Sequence, residues 1–214
     1  MKTKEKIILS SIKLFNDNGM VNVRLQHIAD DVGISVGNLA YHFYSKEAII
    51  IDILDQLTEL LDPIIDEQLE FPGLMDFDTQ LARYYHILIK YSFFFIDLTE
   101  MKRNYPRQYE KRKLITEHIL KQIHHWLKQN ERNGILIEEL RTDHYKMVAH
   151  AIWMIIAFYL TKPLDHGSPE DSERVFKEMV WTQILPHFTP SGRVEFDLLI
   201  ERLLDSFTPD ELNK

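Results

Sequence analysis

The chain has no cysteine among its 214 residues, which excludes structural disulfides, thiolate zinc sites and every mechanism built on a cysteine nucleophile. It also lacks the short signatures of phosphate and metal chemistry: there is no Gly-x-x-x-x-Gly-Lys loop to cradle a phosphate and no His-Glu-x-x-His helix to offer two imidazoles to zinc. A long hydrophobic run is missing too. The longest uncharged stretch, Met147 to Thr161, has fifteen residues and contains His150, short of the ~20 apolar residues of a membrane span. The apolar run near the N-terminus stops at Asn16 and Asp17, too short for a secretory signal, so the expected location is the cytoplasm and no membrane partner is expected.

Positive charge is scarce as well. The chain carries 25 Lys and Arg against 33 Asp and Glu, a net charge of −8. That balance opposes a sequence-blind hold on nucleic acid, because phosphate neutralisation by basic side chains supplies most non-specific affinity. The deficit is uneven. Residues 1–50 hold six basic side chains (Lys2, Lys4, Lys6, Lys13, Arg24, Lys46) against five acidic ones, so the acidity lies in residues 51–214. No local motif singles out a pair of carboxylates as acid and base, so no catalytic residue is expected. His118 and His125 lie two helical turns apart with His124 beside them, which is not the i, i+4 spacing of a helical metal site. They read as solvated surface, and His150 reads as a hydrogen-bonded core residue. No metal and no cofactor is expected.

What the sequence does have is concentrated in residues 28–47. A short helix running to Asp31 places Ile28 and Val32 on one face, with Ala29 small enough for a second helix to cross closely. Gly33 supplies the turn, because the residue past a helix end often needs a positive φ, and Ile34 covers the joint. Ser35 is an N-cap, which predicts a second helix over Val36 to His42 with Leu39 and Phe43 turned inward. Val36, Gly37, Asn38, Tyr41 and His42 then face outward. Small or polar residues at the start of such a helix fit the major groove, while donors further along grip the backbone. Tyr41, His42 and Lys46 are the expected phosphate-gripping residues, and Asn38 the expected base reader.

Residues 8–50 resemble the N-terminal domain of the TetR/AcrR family of bacterial transcriptional regulators. The match rests on Leu14-Phe15 and Gly19 at the end of the first helix, Ile28-Ala29 and Val32-Gly33-Ile34-Ser35 at the turn, then Gly37-Asn38-Leu39, Tyr41-His42-Phe43 and Ser45-Lys46-Glu47. Two positions depart from the pattern. Val23 and Arg24 stand where that family usually has Thr near the start of its second helix, and Ala40 stands where the first of two consecutive aromatics is common. The resemblance implies DNA contacts from Arg24, Ser35, Val36, Gly37, Asn38, Tyr41, His42 and Lys46.

The rest of the chain reads as helix throughout, with no period-two alternation, hairpin signal, internal repeat or low-complexity tract. Helices are predicted over Thr3–Asn18, stopped by Gly19, and from Ser45 to about residue 61 as a linking helix. Asp62-Pro63 reads as a break or kink, and Phe71-Pro72-Gly73 as a loop. Further helices are predicted over Asp76–Ile96, Gln108–Asn133, Thr142–Thr161, Pro169–Leu185 and Ser191–Phe207, with a turn-rich segment from Lys162 to Pro169. The inner stripe expected for the 108–133 helix is Leu114, Ile115, Ile119, Ile123, Trp126 and Leu127.

The expected fold is therefore all-α: a three-helix helix-turn-helix head in residues 1–47, joined by the linking helix to a larger helical regulatory and dimerisation bundle in residues 48–214. Apolar residues occur all round the 147–161 helix, and it and the Trp181 helix need cover that one chain is not expected to give. The family resemblance likewise implies a homodimer, a double-stranded operator and a small-molecule effector site among the central helices. Tyr84, Tyr91, Met101, Trp126, Trp153, Met154 and Phe158 are the candidate lining, which fits an apolar or aromatic ligand. Two rival readings differ in class: a helical interaction or ligand-binding module whose head does not bind DNA, and a small-molecule enzyme.

Overall fold

The computed structural model describes residues 2–66, 73–96, 98–161 and 169–205. The expected loop at Phe71-Pro72, the segment 162–168 and the end of the last predicted helix at Phe207 lie outside the described residues. Eleven α-helices follow one another among the described residues: α1 Thr3–Asn18, α2 Leu25–Val32, α3 Val36–His42, α4 Lys46–Asp66, α5 Leu74–Lys90, α6 Ser92–Ile96, α7 Leu98–Asn104, α8 Pro106–Arg132, α9 His144–Phe158, α10 Pro169–Ile184 and α11 Pro190–Asp205. Short 3-10 turns extend α9 over Tyr159–Thr161 and α10 over Leu185–His187. The chain is all-α, as its sequence predicts.

These helices form two compact units. The first holds α1 to α4, the end of α5 from His86, α6, α7 and α8 as far as His118; the second holds α5 up to Tyr85, α8 from Ile119, α9, α10 and α11.

In the first unit the head is built round Ile7, Ile8, Ile12 and Phe15 of α1, Ile28 and Ala29 of α2, and Leu39 and Phe43 of and after α3, all buried. Each of these Ile, Leu and Phe side chains contributes ~1.5–3 kcal/mol of transfer free energy when fully removed from water. Gly19 ends α1 at φ 75°, its N–H reaching the Phe15 carbonyl. Ile49, Ile50, Ile53, Leu57 and Leu61 make the buried stripe of α4. This helix runs from Lys46 to Asp66 through Pro63, so the chain does not break at Asp62-Pro63. A helix already under way, with its apolar stripe still in register at Leu57 and Leu61, continues past a proline that in isolation reads as a new start.

The predicted single helix over Asp76–Ile96 is instead two, parted at Tyr91. No proline or glycine marks the site. The reason is tertiary: the side-chain amide of Asn16 donates to the Lys90 carbonyl and accepts from the Phe93 N–H, each at 3.0 Å, taking over bonds the helix would otherwise make internally. Phe93 then packs edge-on against Phe15 with ring centroids 5.4 Å apart. Pro106 starts α8 as its first residue, two residues earlier than predicted, and Gly134 closes the turn after it at φ 74°. Leu114 does not belong to the inner stripe of α8: it is 66% exposed, and the buried face there passes through Gln108 and Ile119 instead.

The second unit has an aromatic interior. Phe77 stacks on Trp126 at 4.2 Å between centroids, and Trp181 meets Phe77, Trp126 and Phe196 edge-on or tilted. Trp181 is thereby 3% exposed. Its indole N–H donates to the buried carboxylate of Asp78 at 3.0 Å, and the Lys177 ammonium closes the same carboxylate at 2.9 Å. Gly192 packs so tightly on residues 134–136 that a Cβ would sit 2.1 Å from the Ile135 carbonyl oxygen. His150 is half-buried, not core, although its ring nitrogen does bond the Lys146 carbonyl oxygen at 2.7 Å.

Candidate nucleic-acid interface

The turn between α2 and α3 forms for the reasons its residues dictate. Gly33 adopts φ 76°, ψ 36°, and its N–H and that of Ile34 return to the carbonyls of Asp30 and Ala29. That paired closure satisfies two carbonyls at the helix end with one left-handed residue. Ser35 then opens α3 by accepting the Asn38 N–H on its hydroxyl at 3.1 Å. The α2 end is fixed from below as well, since Asp31 accepts from the Ser10 hydroxyl at 2.7 Å and pairs with Lys13 at 3.6 Å.

Leu39 and Phe43 are buried, and the opposite side of α3 is open to solvent. Gly37, Asn38 and Tyr41 are exposed, Val36 and His42 half-buried. Gly37 is not there for its backbone freedom: a Cβ would meet only the Ser35 oxygen, at 3.9 Å, so what glycine gives is a low surface over which another molecule can approach. Tyr41 is 86% exposed, with the His42 ring edge-on to it at 5.3 Å. Tyr44 is 84% exposed and was missed by the sequence reading. It follows the helix directly and no periodicity picks it out, but two bare tyrosyl rings within four residues of a monomer surface have no packing purpose.

The basic side chains are less free than the sequence implied. Lys46 is half-buried and donates to the carbonyls of Met20 at 2.9 Å and Val21 at 3.5 Å, tying the start of α4 to the turn after α1. Lys4 pairs with Asp52 at 2.7 Å. Arg24 is exposed and precedes α2, where its own N–H donates to His27 Nδ1 at 3.3 Å. Neither Arg24 nor Lys6 forms an ion pair with a described residue. Beside Lys46, Glu47 is held below the usual carboxylate range by its own backbone amide first and by the Ser45 hydroxyl second. Burial, then the charges of Glu47 and Glu100, push the Tyr105 hydroxyl up to about 12.

The effector candidates are dispersed. Tyr91 and Met101 are buried in the first unit; Tyr84 and Trp126 are buried in the second, the Tyr84 hydroxyl donating to Gln122 at 3.2 Å. Trp153 is half-buried, while Met154 and Phe158 are exposed on α9, at 56% and 41%. A groove in the first unit is lined by none of these but by Leu98, Thr99, Lys102, Arg103 and Tyr109. Among the described residues no group of three or more His, Asp or Glu side chains is placed to hold a metal ion, and no helix is long and apolar enough to cross a membrane.

Two family models match in succession. Residues 7–53 match bacterial regulatory proteins of the tetR family, and residues 54–196 match the bacterial transcriptional repressor TetR. A solved TetR-family transcriptional regulator from Marinobacter aquaeolei VT8 superposes with a TM-score of 0.83 at 30% identity, over 94% of this chain and 98% of that one. The HTH-type transcriptional regulator RutR of Escherichia coli K12 is 39% identical over 61 residues, which are 28% of this chain and 29% of RutR. The uncharacterized HTH-type transcriptional regulator YerO of Bacillus subtilis is 46% identical over 48 residues, 22% of this chain and 17% of YerO. The chain thus matches less than a third of the length of either curated relative.

Proposed function

The chain belongs to the TetR family of bacterial regulatory proteins, and from that premise we propose that it is a sequence-specific DNA-binding regulator of transcription, a repressor released by a small-molecule effector. The observation that carries this reading is the solvent-facing side of α3: a capped helix start with Gly37 and Asn38 bare, followed by Tyr41 and Tyr44 standing clear of the surface. Asn38 reads base edges, and Tyr41 and Tyr44 reach phosphate oxygens on either side. Arg24, Ser35, Val36, His42 and Lys46 complete the contact set, Lys46 through whichever of its three donors the Met20 and Val21 carbonyls leave open. On this reading residues 1–47 are the DNA-binding domain and residues 48–214 the regulatory and dimerisation domain.

The protein acts as a homodimer. Met147, Met154 and Phe158 on α9 and Val194 and Leu198 on α11 leave apolar surface that the second unit does not cover. A second copy of the chain covers such a surface, and two α3 helices related by a two-fold axis then read half-sites ~34–36 Å apart. Effector binding changes the separation of the heads through α4, and a coupling of ~1–3 kcal/mol changes operator affinity roughly 5–150-fold. The effector is apolar or aromatic, in keeping with the aromatic interior round Trp126 and the hydrogen-bonded tips of Tyr84 and Gln122. No catalytic role is assigned to any residue, and the working compartment is the cytoplasm.

Fluorescence anisotropy on duplexes tiled across the DNA upstream of the gene tests this reading. One duplex is bound ~10³-fold or more tighter than its neighbours; Asn38→Ala loses that preference, Tyr41→Ala weakens binding to every duplex and flattens its salt dependence, and both keep the melting curve of the parent. Equal binding to every duplex by parent and variants sinks it in favour of an interaction module.

A further inference from the structure

A positive surface lies in the same unit as the head, where α7 meets α8. Residues 102–113 carry Lys102, Arg103, Arg107, Lys111, Arg112 and Lys113 against Glu110 alone, in a chain of net charge −8. Three of the six are committed: Lys111 to Asp55 of α4 at 2.6 Å, Lys113 to Glu110 at 2.9 Å, and Arg112 over the ring of Phe94. Lys102, Arg103 and Arg107 are exposed and form no ion pair with any described residue.

Their placement runs against what a helix prefers. The N-terminus of α8 is the positive end of a 27-residue helix, and its first turn has no acidic side chain but does contain Arg107. Cations belong at the other end of a helix, so this corner carries a repulsion that an anion would relieve. Lys102 and Arg103 form one wall of the groove whose other lining is Leu98, Thr99 and Tyr109, so hydroxyl donors accompany the charges. The groove is open, the shape for a backbone phosphate and not for an enclosed small molecule.

The corner also adjoins the head. Tyr105, the residue between α7 and α8, is buried and senses the carboxylate of Glu47, the second residue of α4 and three residues beyond the exposed Tyr44. The head itself is short of charge, with Lys4, Lys13 and Lys46 already engaged. We propose that Lys102, Arg103 and Arg107 form an auxiliary DNA-phosphate clamp outside the helix-turn-helix, supplying backbone affinity that the near-neutral head does not. This rests on the DNA-binding reading above.

The test is the salt dependence of binding by the full chain to its selected duplex. Each neutralised phosphate contact lowers the slope of log K against log salt by ~0.9. The triple variant Lys102→Gln, Arg103→Gln, Arg107→Gln therefore flattens the slope by about 2 to 3, and its affinity deficit shrinks roughly forty-fold between 50 and 200 mM salt. Base preference is unchanged, because these contacts carry no sequence information. A charge-matched control, Lys121→Gln, Arg132→Gln, Arg141→Gln in the second unit, keeps the parental slope. Arg103→Lys with Arg107→Lys keeps it too. A parental slope in the first triple variant, with its fold intact by circular dichroism, overturns the clamp and leaves the DNA-binding reading standing; an equal flattening in the control shows a net-charge effect and overturns it as well. If the parent distinguishes no duplex, both fall.

Discussion

The side-chain amide of Asn16 stands in for a missing turn of helix at Phe93: it accepts the Phe93 N–H and donates to the Lys90 carbonyl, both at 3.0 Å. A residue of the first helix of the head thereby holds open the joint between α5 and α6. Asn16→Ala removes the partners of two backbone groups, the part-buried Phe93 N–H and the exposed Lys90 carbonyl, at a cost of ~1–2 kcal/mol. Urea unfolding followed by circular dichroism is expected to show this loss, and Asn16→Asp, which keeps the acceptor and loses the donor, should fall between the two.

Lys46 serves the fold, whatever its part at the proposed DNA surface. Its bonds to the Met20 and Val21 carbonyls predict that Lys46→Ala destabilises the head by ~1–2 kcal/mol, whereas Tyr41→Ala, at 86% exposure, leaves the melting temperature within a degree or so. Comparing the two variants by differential scanning calorimetry separates a DNA contact from a structural tie, which binding data alone would confuse.

Two glycines are required for different reasons. Gly33 has open space where a Cβ would go but a φ of +76°, so Gly33→Ala costs about 1 kcal/mol of backbone strain and Gly33→Asn less. Gly192 needs no unusual backbone angle, yet its Cβ would lie 2.1 Å from the Ile135 carbonyl oxygen, so Gly192→Ala forces α11 off residues 134–136 and costs ~3 kcal/mol. Chemical denaturation of both variants is expected to rank them in that order.

His187 predicts a pH dependence. Burial first, and the neighbouring His144 second, hold its imidazole below the ordinary histidine range; the two rings lie 4.9 Å apart and the buried atom Nε2 of His144 has no hydrogen-bond partner among the described residues. The Tyr145 ring also faces His187, at 5.7 Å, and its hydroxyl, bonded to the Ile137 carbonyl, stays neutral with a pKa of about 12. Glu131 and Glu139, both paired with Lys128, are the nearby acids that Tyr145 senses. A histidine whose folded pKa is depressed favours the fold above its unfolded value near 6.5 and loses that contribution as pH falls below it. His187→Gln should therefore lose less of its melting temperature than the parent between pH 7.5 and pH 5.5; parallel losses would mean that this histidine does not titrate in the transition.

The parts of the fold written in local chemistry were legible. Gly19, Gly33 and Ser35 fixed α1 and α3 to the residue, because a left-handed glycine and a capping hydroxyl act within one turn of where they stand. What the sequence hid depends on residues far along the chain. The break at Tyr91 is made by Asn16 and the burial of Trp181 by Phe77 and Phe196, whereas the exposure of Leu114 follows from the helical period itself, since it stands about 120° round α8 from the face shared by Gln108 and Trp126. Pro63 does not end α4, whose buried stripe runs as far as Leu61. In the interface the outward face of α3 was readable from spacing alone. The engagement of Lys46 with the turn after α1 and the bareness of Tyr44 were not, since neither follows from a period.

The most direct test of the account is an in vitro selection from random duplex DNA, run with the parent chain beside the double variant Asn38→Ala, Tyr41→Ala. The account predicts that the parent alone enriches one near-palindrome whose half-sites are about one helical turn apart. Enrichment of the same motif by both proteins, or of none by either, would contradict the assignment of α3 as the reading helix.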